Sequence, residues 1–394
     1  MKFLDDIKKY YLFRAFNKRL AMPVWFLFMV DQGLSIQQIA LIAGVSTALS
    51  FILEIPSGSV ADTIGHKQAL ILSMLGQGAG LAFFIGGSFW WILAGSLAYW
   101  GIGTLMTGTH EAFFFEKVTE LGRKNEYQKL MGRSRSVSSV FSAVAVSTAG
   151  VLYLINPVLP FLISACIYWL GAAVVLTFQP NQKDVSVAKM EGFEAWIHHF
   201  KVGWETITNS PPLFYLMLFN AILYGVTMAS TEMQQIILNN IGLAVALFGP
   251  LYALKRLFSA SLAPILHRFR SVFTTTKTLI IMLSSLLTYL ILIAHVNHTG
   301  AIFLVVLFAS FVIIISDIII SDLMNQLIPT GSRATTLSMG NFGGLIMKLL
   351  TLGFFGIATT LISIETAHLY LAVFVAILGI TLLPRASAAF RDSL

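Results

Sequence analysis

Long apolar runs separated by short polar breaks recur along the chain, at about 10–31, 37–58, 68–87, 90–115, 130–153, 156–178, 212–232, 242–264, 277–296, 300–322, 334–361 and 365–384. Each is near the roughly 20 residues that an α-helix needs to cross the hydrocarbon of a bilayer, and none alternates as a barrel strand would. The pattern predicts an all-α membrane protein of twelve transmembrane helices. The longest polar interval, 179–212, divides them six and six. It carries Phe193, Trp196, Ile197, Phe200 and Trp204 at helical spacing, which predicts an amphipathic helix at the membrane interface. The predicted layout is an N-terminal six-helix bundle at 1–178, a linker with this helix at 179–211, and a C-terminal six-helix bundle at 212–394.

Composition agrees: 57% of the 394 residues are hydrophobic and only 11% charged, with a mean hydropathy of +0.81. The net charge of +7 sits at the ends of apolar runs and forms no basic domain, so nucleic acid is excluded as a partner. The odd-numbered breaks, DQGLS, GGSFW, LINPV, LNNIG, HVNHTG and SIETAH, hold no Lys or Arg, whereas the even-numbered ones and both ends do. By the positive-inside rule both termini are cytoplasmic and the first run is a retained helix. The chain reads as a multi-pass protein of a bacterial inner membrane. The one cysteine, Cys166, cannot form an internal disulfide.

The halves resemble each other at an offset of about 209. GLSIQQIALIAG at 33–44 opens the second run and GLAVALFGP at 242–250 opens the eighth; Pro56 falls opposite Pro264 and Asp62 opposite Arg270. Parallel six-helix repeats of this kind build secondary transporters, with the substrate site near mid-membrane between the repeats.

The stretch EIPSGSVADTIGHK, residues 54–67, lies between the second and third runs. Its Gly58, Asp62, Gly65 and Lys67 resemble the signature loop of the major facilitator superfamily, and the preceding Glu54, Pro56 and Gly58 resemble the E-x-P-x-G-x-x-A-D form found in a branch of drug and metabolite transporters. Thr63 and His66 stand at positions where the family has basic residues. Asp62 can accept hydrogen bonds at the start of a neighbouring helix, where the helix dipole favours an anion. The resemblance implies that this helix is the eleventh, beginning near Arg333, and that the contact is a latch broken and remade during transport. It also implies export of a small amphipathic drug or metabolite, with proton antiport.

Ionisable groups inside the runs are candidate functional residues, because each costs about 2.5–3.5 kcal/mol or more to insert. Glu54 lies two turns from Asp62 on one helical face, roughly 12 Å deeper. It is a candidate for proton coupling or gating, or for a structural hydrogen bond at the bend by Pro56. His110 and Glu111 in the fourth run and Asp317 in the tenth are candidates for the same roles, while Glu116 beside Lys117 reads as an interfacial ion pair. Lys255 and Arg256, roughly 20 Å into the eighth run, and Lys348 in the eleventh are candidates for substrate binding or for pairing with acids of the other half. Arg14, Lys18 and Arg19 in the first run are expected to snorkel to the headgroups.

These buried cations support a second reading, proton-coupled transport of an organic anion such as a carboxylate or an anionic siderophore. A non-transporting receptor or an enzyme is the third, but the chain shows no nucleophile motif, metal-ligand cluster, cofactor motif or sizeable soluble region. The expected partners are a small-molecule substrate, protons and the lipid bilayer, with no cofactor, and the expected state is a monomer.

Overall fold

A computed structural model describes residues 5–179, 201, 203–272, 274–296, 299–328 and 333–391. Among these, every regular element is helical: α1 (Asp6–Phe16), α2 (Trp25–Asp31), α3 (Ile36–Ile64), α4 (His66–Ala82), α5 (Phe89–Gly103), α6 (Thr109–Glu120), α7 (Tyr127–Ile155), α8 (Leu159–Leu176), α9 (Pro211–Asn240), α10 (Phe248–Val272), α11 (Thr275–His295), α12 (Thr299–Ile315), α13 (Ser321–Leu327), α14 (Arg333–Ala358) and α15 (Ile364–Arg391). A π-helical turn, Ser316–Ile320, joins α12 to α13. Nine helical stretches among the described residues are long and apolar enough to cross a membrane, and Met22–Asp31 and Phe342–Ala358 are shorter apolar helices. The helix α10, which carries Lys255, Arg256, Arg268 and Arg270, completes the twelve apolar runs. Most of the amphipathic helix expected in the linker, including Phe193, Trp196 and Phe200, lies outside the described residues.

Two of the runs expected to be continuous are broken. The first divides between α1 and α2, where Asn17 closes α1 with its N–H on the Phe13 carbonyl and Pro23 opens a short 3-10 turn. The fourth divides after Met106, and Gly108 at φ +73° leads into α6. His110 and Glu111 therefore occupy the first turn of a separate short helix. In each case one half is strongly apolar, α2 and α5, while α1 and α6 mix apolar with charged residues. The eighth run also starts later than expected, at Phe248, so Lys255 lies two turns, about 10 Å, into its helix.

The chain folds into two compact units. One comprises Met1–Leu34, Val45–Met190 and Ala244–Ala253; the other comprises Ser35–Gly44, Glu191–Leu243 and Leu254–Leu394. The two short segments, Ser35–Gly44 and Ala244–Ala253, are counterparts at the sequence offset of 209. The turns before them are also alike. Gly33 (φ +79°) and Gly242 (φ +74°) each end a helix in the left-handed region. Each then closes it with the same pair of bonds, Gly33 N–H to Val30 O and Leu34 N–H to Met29 O in one, Gly242 N–H to Asn239 O and Leu243 N–H to Leu238 O in the other. This is the Schellman arrangement, and the buried Leu34 and Leu243 supply its apolar contact.

In the first unit the core is aromatic. Trp25 packs against Phe84, Tyr99 and Phe161 with ring centroids 4.6–5.7 Å apart, and it is buried as packing, not as a cavity wall. Backbones approach closely where glycines face each other: a Cβ on Gly80 would meet the Gly95 carbonyl at 2.7 Å, and one on Gly150 would meet the Val245 carbonyl. In the second unit α9 and α14 form the closest pair, since a Cβ on Gly225 would lie 2.6 Å from both the Gly344 carbonyl and the Lys348 amide nitrogen.

Candidate functional site

A cavity of about 520 Å³ opens in the first unit, large enough for a small organic molecule. Arg14 on α1 and Asn17 and Arg19 just after it form one wall; Ser50 and Glu54 on α3, Gln77 on α4, and Tyr99 and Trp100 on α5 form others; the break at Thr104–Gly108 brings in His110 and Glu111 from α6. The helix breaks position these groups. Gly108, in the left-handed region, precedes α6, whose first turn carries His110 and Glu111 on the cavity wall.

The lining groups differ in how firmly they are held. Arg135 on α7 donates to Glu111 at 3.1 Å, which compensates that carboxylate. Tyr10 Oη lies 3.2 Å from His110 Nδ1 and donates to the His110 carbonyl at 3.1 Å, while its ring stacks on Phe114 at 3.9 Å. Gln77 is fixed through Ser73, which donates in turn to the Ile102 carbonyl. The Arg19 guanidinium lies over Trp100 at 4.5 Å and over Tyr99 at 5.5 Å, and Tyr99 exchanges a hydrogen bond with Tyr168 at 2.9 Å. Arg14 and Arg19 thus both line the cavity. Arg14 Nε is buried with no hydrogen-bond partner among the described residues. Glu54 is exposed to the cavity; the bond at the Pro56 bend runs to its backbone carbonyl, from Ser57 Oγ at 2.8 Å, and leaves the carboxylate without an ion pair among the described residues.

The signature loop lies at the other end of α3. Gly65 takes φ +90°, a conformation that side chains rarely adopt, and so allows α4 to start one residue after α3 ends. Asp62 Oδ1 lies 3.3 Å from His66 Nε2, and His66 Nδ1 lies 2.9 Å from Glu116 Oε1 on α6. Lys67 donates to the carbonyls of Leu176 and Phe178, capping the C-terminal end of α8 with a cation. A Cβ on Gly58 would meet nothing within 4 Å. The backbone of Arg333 begins α14, but its side chain, like that of Asp317 in the π-helical turn, lies outside the described residues.

Two pairings differ from expectation. Lys117 binds Glu120 at 2.9 Å and the Gln179 carbonyl, while its sequence neighbour Glu116 turns to His66; adjacent residues on a helix point about 100° apart and do not face each other. Lys348 pairs with Glu232 of its own unit, Nζ to Oε1 at 2.6 Å, instead of with an acid of the N-terminal half. Glu232 is not among the residues singled out from the sequence, although the polar run TEMQQ at 231–235 inside α9 is a signal for it. Lys255 is half-buried and Arg256 is exposed on α10.

Membrane-length helices in two units, with a polar cavity reached by charged groups from three segments, define a transporter for small molecules. The chain belongs to the Major Facilitator Superfamily, whose family model matches residues 10–351. It is 23% identical over 369 residues, 90% of this chain and 89% of the relative, to an uncharacterized MFS-type transporter, YxaM, of Bacillus subtilis (strain 168). Its fold resembles that of the nucleoside transporter NupG, with a TM-score of 0.76 at 11% identity over 98% of both chains. It also resembles a bacterial homolog to the human lysosomal transporter Spinster in an inward-facing and occupied conformation, with a TM-score of 0.73 at 16% identity over 98% of this chain and 95% of that one. The protein is a secondary transporter of this superfamily, not an enzyme.

Proposed function

We propose that the protein carries a small amphipathic organic solute by proton-coupled alternating access, with Glu54 taking and releasing the proton. The position of Glu54 carries this reading: it lines the cavity of the first unit, and its carboxylate is not committed to an ion pair among the described residues. An unpaired carboxylate inside a membrane protein is costly, and such groups mark proton and substrate pathways. Trp100, Tyr99 and Met106 supply the apolar part of the wall, and Gln77, Asn17 and His110 the polar part. In this reading Glu111 and His110 gate the cavity through Arg135 and Tyr10, and Asp317 has the corresponding role in the second unit. Gly58, Asp62, Gly65 and Lys67, together with Arg333, form the conformational latch. Lys255 and Arg256 are assigned to inter-bundle pairing or substrate contact, and Lys348 to the ion pair with Glu232 inside the second unit. Export by antiport follows from the loop's resemblance to exporters; the second reading, transport of an organic anion, is favoured by Arg14 and Arg19 on the cavity wall.

The test is reconstitution in liposomes with imposed proton gradients of either direction and a panel of cationic, neutral and anionic solutes. Flux that follows the gradient in the wild type and ignores it in Glu54→Gln is the expected result. Flux independent of the gradient for every transported solute would refute the coupling.

A further inference from the structure

We propose that the cavity of the first unit is a site for an organic anion: Arg14 anchors a carboxylate-type group, and the wall formed by Arg19 on Trp100 receives the apolar body. The inference rests on the reading of this cavity as the transport site and adds the charge of its cargo.

The charges on the wall decide the sign. Arg14 and Arg19 are both cationic at any physiological pH. Glu111 is compensated by Arg135, at 3.1 Å, and Glu54 alone remains as an uncompensated negative group. With Glu54 ionised the site carries an excess of one positive charge, and with Glu54 protonated an excess of two. In neither state is the site net negative, so a cation finds no net attraction there, while an anion does.

The geometry is equally selective. Arg14 Nε is a buried donor with no hydrogen-bond partner among the described residues. Arg14 also lines the cavity, and its guanidinium there can donate to a ligand oxygen. Guanidinium presents donors in a planar fork that matches a carboxylate, and such charge-assisted bonds are about twice as strong as neutral ones. Arg19 is held differently: its guanidinium lies over the Trp100 ring at 4.5 Å, a cation–π contact. A flat or branched apolar group next to the anion is the complement of the Tyr99, Trp100 and Met106 part of the wall. The class of ligand is therefore a monoanionic amphipathic acid.

The experiment uses the full chain in nanodiscs and a matched trio with one apolar body: 3-phenylpropionate, 3-phenylpropionamide and 3-phenylpropylamine. Binding is read by calorimetry and by the shift in thermal unfolding. The carboxylate is expected to bind at least tenfold more tightly than the amide and the amine. Arg14→Gln should lose that preference while keeping its unfolding temperature, and Arg14→Lys should retain part of it. Arg19→Gln gives the same readout if Arg14→Gln does not fold. Equal or tighter binding of the amine, binding by none of the three, or a carboxylate preference intact in both glutamine variants would overturn the proposal. Gradient-driven flux of the amine would refute the anion site and leave proton coupling standing; carboxylate binding with flux indifferent to the proton gradient would do the reverse.

Discussion

Glu232 Oε1 and Lys348 Nζ lie 2.6 Å apart between α9 and α14, with side-chain exposures of 15% and 14%. The pair joins α9 to α14 about two turns along α9 from Gly225, where the backbones approach closely at Gly344 and Lys348. Breaking such a largely buried pair is costly, and the expected cost of Glu232→Gln or Lys348→Met alone is about 3–5 kcal/mol. The double replacement should recover most of it. Thermal unfolding of the four proteins in one detergent forms the double-mutant cycle, and additive losses would show that the pair is not an energetic unit.

Glu54→Gln keeps the shape of the cavity and removes the proton-carrying group. Solute binding should persist, while accumulation driven by a pH gradient should fall to the level of passive exchange. Counterflow, which needs no net proton movement, is expected to continue. Loss of counterflow as well would assign Glu54 to binding instead of coupling.

Asp62→Asn removes the charge from the loop, and Lys67→Gln uncaps the end of α8. Both side chains sit at the surface of the unit, and a charge at a helix end contributes only about 0.3–1 kcal/mol, so both variants should fold. Their effect should appear in turnover: slower flux with unchanged solute affinity. Unchanged flux in Asp62→Asn would remove that residue from the latch.

The two repeat-related turns should respond alike. Gly33→Ala and Gly242→Ala each place a side chain at positive φ, at a cost of about 1–2 kcal/mol, with open space around the added methyl group in both cases. Equal losses of unfolding temperature are expected, and a marked inequality would show that the turns are not equivalent in the folded protein.

Gly225→Val and Gly58→Ala separate packing from flexibility. The first drives atoms into the Gly344 carbonyl and the Lys348 amide, and overpacking of this kind costs about 1–3 kcal/mol. The second meets nothing within 4 Å and replaces a helical glycine by the best helix former, so stability should hold or rise. A transport defect in a stable Gly58→Ala protein would mean that the glycine serves a state other than this one.

The sequence alone determined the class, the succession of apolar helices and the internal repeat, because these depend on quantities local to the chain. A run of some twenty apolar residues has one stable form in a bilayer, and a glycine before a helix start signals its turn wherever it occurs. Gly33 and Gly242 were legible for that reason, as was the loop from Glu54 to Lys67. Only the tertiary structure decided which charges meet. Lys348 found Glu232 from 116 positions away, His66 joined Asp62 to Glu116, and Arg14 and Arg19 came to face Glu54 across one cavity. Helix breaks at Asn17 and Gly108 shape the cavity wall, and hydropathy alone does not say how a chain turns at such a break. Pairing depends on the rotation and bend of each helix, and a shift of one residue turns a side chain by about 100°, which is enough to exchange a cavity for lipid.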